Sequence, residues 1–136
     1  VNQIVIGSGT TTRGDNTVVL GNADITQVWM ASDGAAVIYA NGTINTSDLR
    51  LKKDINNVAL GIDFIQKLRP VTYRWKKDKQ SGNKLHHGLI AQELDSILLT
   101  HKMSKDTHSI VNYDDVSDKY GINYNQVTIP LIKEIL

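Results

Sequence analysis

The stretch SDLRLKKD places a serine, Ser47, five positions before a lysine, Lys52. A serine hydroxyl is a weak nucleophile at neutral pH and needs a base to take its proton. A lysine amine can do this when it is neutral. Its reference pKa is about 10.4, so burial or a nearby cation must favour the neutral form. Arg50 and Lys53 carry the right sign for that task, and Asp48 and Asp54 the wrong one. Leu49 and Leu51 offer desolvation. In an extended strand residues 47 and 52 face opposite sides, so the pair requires a bend between them. Ser47-Asp48 is suitable chemistry for that bend. Spacing alone carries no assignment, because most such pairs are solvated surface residues.

The elements that must hold the pair fall into two stretches of different character, in a chain of 136 residues. Hydrophobic content of 40% and charged content of 21% suit a folded protein rather than a disordered one. The formal net charge of +1 gives no global field that would favour nucleic acid or a membrane as partner. The absence of cysteine excludes disulfides and thiolate metal sites. No apolar run reaches the length of a bilayer span. Both ends stop inside a pattern and read as cuts through a longer chain.

Residues 1–46 hold six of the ten glycines. NQIVIG at 2–7 and NTVVLG at 16–21 repeat at an offset of 14 residues, separated by the turn-forming SGTTTRGD. That period suits one strand and one turn, stacked as in a β-roll. Apolar residues facing both ways imply cover on both faces, and copies of the same chain are one source of it. Strand-like runs at 25–31 and 35–40 flank Ser32-Asp33-Gly34, and Asn41-Gly42 follows. Asp-Gly and Asn-Gly are hairpin signals, so a β-meander is expected up to Ile44.

The second half is mixed. Residues 56–70 predict a helix capped by Asn56 or Asn57 and stopped by Pro70. Val71, Tyr73 and Trp75 alternate with polar residues, as in a half-buried strand. Residues 77–84 read as a polar turn. Residues 85–99 start extended and turn helical near Ala91, and 109–116 read as a short strand and turn. The end predicts an amphipathic helix starting near Asn123 or Asn125, suited to packing on partner helices. Pro130 must then fall in its first turn or mark a kink. The fold class expected is α+β, with a β-rich fibre segment followed by a mixed domain that ends in an amphipathic helix.

Four blocks in order, SDLRLKKDI, IDFIQKLRPVTYRW, HGLIAQEL and INYNQVTIPLIKEIL, cover residues 47–136. Together they resemble the C-terminal intramolecular chaperone domain of phage endosialidases, tailspikes and tail fibres. The resemblance implies an intertwined homotrimer that templates the folding of the fibre segment before it, then cuts itself away. The cut would fall at Thr46–Ser47, dividing a fibre end at 1–46 from a chaperone domain at 47–136. The family's serine–lysine dyad maps to Ser47 and Lys52. Residue 46 is Thr where the family often has Asp. Asp48, His86, His87 and Gln92 are candidates for orienting groups around the dyad. The chaperone's partners would be its own copies and the upstream fibre segment, without cofactor or metal. It would work in the host cytoplasm during virion assembly, and the fibre part would end in the virion tail.

Blander readings attach to several of these residues. His86 and His87 also suit a solvated hairpin or a strand pair. Tyr73 and Trp75 suit a core better than a carbohydrate platform. Asp114, Asp115 and Asp118 fit no standard metal loop. Two other functions compete with the self-cleaving chaperone. One is a permanent trimeric cap or receptor-binding tip. The other is a carbohydrate-binding adhesin using Trp29, Tyr39 or Trp75.

Overall fold

A computed structural model describes residues 1–76 and 83–136. The polar turn expected over 77–84 lies mostly outside the described residues. The chain divides into two compact units, Val1–Leu51 and Lys52–Leu136.

In the first unit, strands β1 (Gln3–Ile6) and β2 (Thr17–Leu20) pair in parallel. Gln3 stands opposite Thr17 and Ile6 opposite Leu20, so the pairing register equals the 14-residue offset of the repeat. Each NxxxxG copy is thus one rung, and its glycine ends the strand. Gly21 has φ +82°, and Gly7, its equivalent, +132°, conformations that L side chains rarely adopt. The Gly21 N–H donates to the Ile6 carbonyl at 2.7 Å, and the Asn22 amide donates to the Ser8 carbonyl at 3.0 Å. Ile4, Ile6, Val18 and Leu20 stand exposed on the rungs.

The expected meander is absent: residues 21–48 contain no strand. Asp33-Gly34 does form a turn, in which the Gly34 N–H donates to the Ala31 carbonyl at 3.1 Å. The runs on either side lack a paired edge or an apolar layer to lie on, and Val28, Val37, Ile38 and Ile44 are exposed. Hairpin chemistry fixes a turn, but strands need a face to bury.

All buried residues among those described belong to the second unit. Its core is Leu60, Phe64, Leu94, Leu98, Ile110, Val111 and Val127. Fully burying a side chain such as Phe64 or Leu98 stabilises a fold by roughly 1.5–3 kcal/mol. Helix α1 is only Ile62–Ile65. The longer helix expected from residue 56 does not form, and neither Asn56 nor Asn57 caps it. Gly61 takes the cap position with extended backbone, which lets the chain enter straight and drop Leu60 into the core.

Strands β3 (Val71–Tyr73) and β4 (His86–Gly88) pair antiparallel, Val71 opposite Gly88 and Tyr73 opposite His86. Trp75 lies past the end of β3 and is more than half exposed, contrary to its expected place in a core. It keeps an edge contact with Tyr73 at 5.1 Å between ring centres. Helix α2 (Ala91–Thr100) begins where the sequence predicts and buries Leu94 and Leu98, one turn apart. Lys102 at φ +60° closes it. The Lys102 N–H donates to the Leu99 carbonyl and the Met103 N–H to the Leu98 carbonyl, so the last carbonyls are satisfied.

Strands β5 (Val111–Asp114) and β6 (Lys119–Ile122) form a hairpin. Its turn uses Asp114 and Asp118, the acidic residues that fit no standard metal loop. Asp114 accepts from the Ser117 N–H at 3.1 Å, and Asp118 accepts from the Tyr113 hydroxyl. That bond pushes the Tyr113 pKa up to about 12. The hairpin runs directly into α3 (Tyr124–Ile135), with Asn123 as its cap residue. Pro130 lies inside α3 on its buried face, beyond the first turn.

One contact ties β4 to α3. The Tyr124 hydroxyl accepts the Leu89 N–H at 2.9 Å and lies over Gly88. A Cβ at position 88 would stand 2.5 Å from that hydroxyl oxygen and 3.4 Å from the Tyr73 ring. Gly88→Ala should therefore push the hydroxyl off the Leu89 N–H and cost about 1–3 kcal/mol of stability. In a Tyr124→Phe background the clashing oxygen is gone, and at least half of that cost should disappear. Urea unfolding of the two single variants and the double variant measures this. Purely additive losses would show that Gly88 and Tyr124 do not share the contact.

Candidate functional site

The segment before Ser47 is open. Residues 42–48 carry neither helix nor strand, and Thr46 and Ser47 are both exposed. The bend demanded by the Ser47–Lys52 spacing follows immediately, as a 3-10 turn at Leu49–Leu51. Asp48 builds it. Its Oδ1 accepts the Arg50 N–H at 2.9 Å, and its carbonyl accepts the Leu51 N–H at 3.1 Å. The Arg50 guanidinium closes back on the same carboxylate, with Nη2 at 2.7 Å from Oδ2. This fork holds the Asp48 carboxyl below its usual range and raises Arg50 above its own.

Some expectations for this stretch change. The Asp48 and Arg50 charges are committed to each other, so Arg50 is not a free cation for depressing the pKa of a neighbouring amine. Leu49 and Leu51, expected to offer desolvation, are exposed. Ser47 belongs to the first unit and Lys52 opens the second.

The other named residues lie in the second unit. His86 is stacked on Tyr73 at 5.5 Å and meets the Trp75 ring at 6.1 Å, so its ring joins an aromatic cluster on β3–β4. His87 faces the other way. It lines a cleft of about 590 Å³ with Leu68, Pro70, Val71, Thr72, Gly88, Leu89 and Tyr124. Gln92 is exposed near the start of α2, where its carbonyl accepts the Ser96 hydroxyl at 3.0 Å. Among the described residues no group of three His, Asp or Glu side chains could hold a metal ion. Nor is any helix among them long and apolar enough to cross a membrane.

Sequence reasoning missed the joints between the recognisable blocks. Arg69, before Pro70, forms a forked ion pair with Glu93 of α2, with Nε at 3.1 Å from Oε2. Gly88 meets Tyr124 as described above. These residues are conspicuous members of their blocks, but the partners lie 24 and 36 positions apart. Only the fold shows that they touch.

The second unit is a small mixed domain of helices and two-stranded sheets. Residues 47–102 match the peptidase family described as chaperone of endosialidase. The match starts at Ser47 and ends at Lys102, which closes α2. No curated protein and no solved structure matches the chain.

The Arg69–Glu93 joint has a pH signature. The Arg69 fork holds the Glu93 carboxyl below its ordinary value of 4.5. A depressed carboxyl stabilises the fold above its unfolded pKa, and that contribution is lost as pH falls through the lower folded value. Arg69→Ala should therefore lower the urea midpoint at pH 7 and lose much of its effect by about pH 3. The same deficit at both pH values would mean that Arg69 acts through packing of its stem.

Proposed function

We propose that the chain is the junction of a fibre and its self-releasing folding chaperone, cut between Thr46 and Ser47. The observation that carries this reading is the family match beginning at Ser47 and containing Lys52. In the proposed reaction the Lys52 amine takes the Ser47 hydroxyl proton. The Ser47 oxygen attacks the Thr46 carbonyl carbon, and the peptide nitrogen leaves as the protonated amine of Ser47. The resulting ester is hydrolysed by one water. The products are a chain ending in the Thr46 carboxylate and a fragment starting with Ser47. Attack on the same bond of a neighbouring copy gives identical products. The exposed backbone at 42–48 supports access to the bond.

The chaperone half of the proposal is a homotrimer. Support comes from α3, whose Ile129, Leu131, Ile132 and Ile135 are exposed and need cover, as does Leu136 after it. The client half is the rung-forming segment, read as the end of a β-roll. It has no buried residue of its own, so its apolar faces need neighbouring copies. Pairing between chains is slow and prone to error. A domain that trimerises first sets the alignment, and cutting it away blocks the route back to the unfolded state. The work would be done in the host cytoplasm during virion assembly, with the fibre part retained in the tail.

Intact-mass measurement of the purified chain tests the reading, beside Ser47→Ala and Lys52→Ala. Wild type should yield a fragment beginning at Ser47, and both variants should stay full length. A full-length wild type that still forms trimers would favour a permanent cap. Glycan binding by residues 1–46 alone would favour an adhesin.

A further inference from the structure

The turn after Ser47 is built by side chains that contribute nothing to a core. Asp48 is the hub. It accepts the Arg50 backbone N–H at 2.9 Å, Arg50 Nε at 3.1 and 3.2 Å, and Arg50 Nη2 at 2.7 Å. Its own carbonyl accepts the Leu51 N–H at 3.1 Å. All five bonds span two or three residues. An exposed pair of this kind adds little to overall stability, since solvent and side-chain entropy offset its attraction. Its effect is geometric. The chain before it has neither helix nor strand from residue 42. The turn is therefore the first regular element after the Thr46–Ser47 bond.

Geometry is what an attack on a preceding carbonyl demands. The attacking oxygen must reach about 3–3.5 Å from the carbonyl carbon along an aligned path. A nucleophile on a freely rotating segment spends most of its time elsewhere. We infer that Asp48 and Arg50 are positioning residues for self-cleavage, winding the chain behind Ser47 into the 3-10 turn that holds its hydroxyl in a productive orientation. This inference rests on the self-cleavage reading. It adds a specific requirement, which is an acceptor at position 48 for the Arg50 N–H, reinforced by the guanidinium fork.

Substitutions at position 48 separate the acceptor from the charge. Asp48→Asn keeps an oxygen that can accept the Arg50 N–H, whereas Asp48→Ala removes it. The first-order rate of fragment appearance should fall about tenfold or more in Asp48→Ala. Asp48→Asn should restore most of the rate, while the urea midpoint of the second unit stays at the wild-type value in both. A wild-type rate in Asp48→Ala overturns the inference and leaves the Ser47–Lys52 reading intact. So does an Asp48→Asn rate as low as that of Asp48→Ala, because the turn would then not be what matters. If Asp48→Ala yields no folded protein, Arg50→Ala carries the test, and an unchanged rate there also overturns it. A wild-type chain that never cleaves removes the self-cleavage reading itself, and this inference with it.

Discussion

The second unit depends on a hydroxyl sitting where a side chain would otherwise be. Tyr124 opens α3 and reaches over Gly88 to accept the Leu89 N–H. That N–H lies just past β4, where the chain leaves the sheet for α2. The contact needs glycine at 88, an aromatic hydroxyl at 124 and the correct entry angle of α3. The β5–β6 hairpin sets that angle, because the Asn123 N–H is held by the Ile110 carbonyl at 2.8 Å. Sheet, hairpin and terminal helix thus constrain one another around a single oxygen. Arg69 and Glu93 make a second joint nearby, from the chain before β3 to α2.

The two units differ in how they are held. The second has an apolar core and a closed C-terminal turn on α2. The first has rungs, turns and exposed aliphatic side chains. Its order comes from glycine and asparagine bonds between neighbouring rungs and from the two-residue Asp48–Arg50 fork. Local order of this kind fixes a backbone path without supplying much stability. A segment built this way is suited to completion by neighbouring chains, consistent with its proposed role as a client.

What the sequence made legible follows the range of the interactions involved. The 14-residue echo gave the β1–β2 register directly, because a repeat and a rung are the same length. The start of helix α2 near Ala91 was readable, and α3 from its apolar stripe with Asn123 or Asn125 at its start. Helix α1 was overextended, since apolar spacing from residue 58 cannot show that Gly61 keeps the chain extended. The meander failed for a related reason. Asp33-Gly34 turns as expected, but the flanking runs have no apolar layer beneath them. Of the site, residue types and the need for a bend were visible. The bend's construction was not, because an aspartate accepting from an arginine two residues on leaves no periodic trace.

The register of the rungs has a consequence for the upstream segment as a whole. Each turn of chain returns to the same lateral position after 14 residues, with Ile4 over Val18 and Ile6 over Leu20. Length change in such a structure is quantised. Adding or losing one full rung keeps every aliphatic row, glycine corner and asparagine bond in phase. A change of any other size shifts the rows against each other and turns apolar side chains to the wrong face. A segment built on this rule can grow or shrink by whole rungs and keep its register.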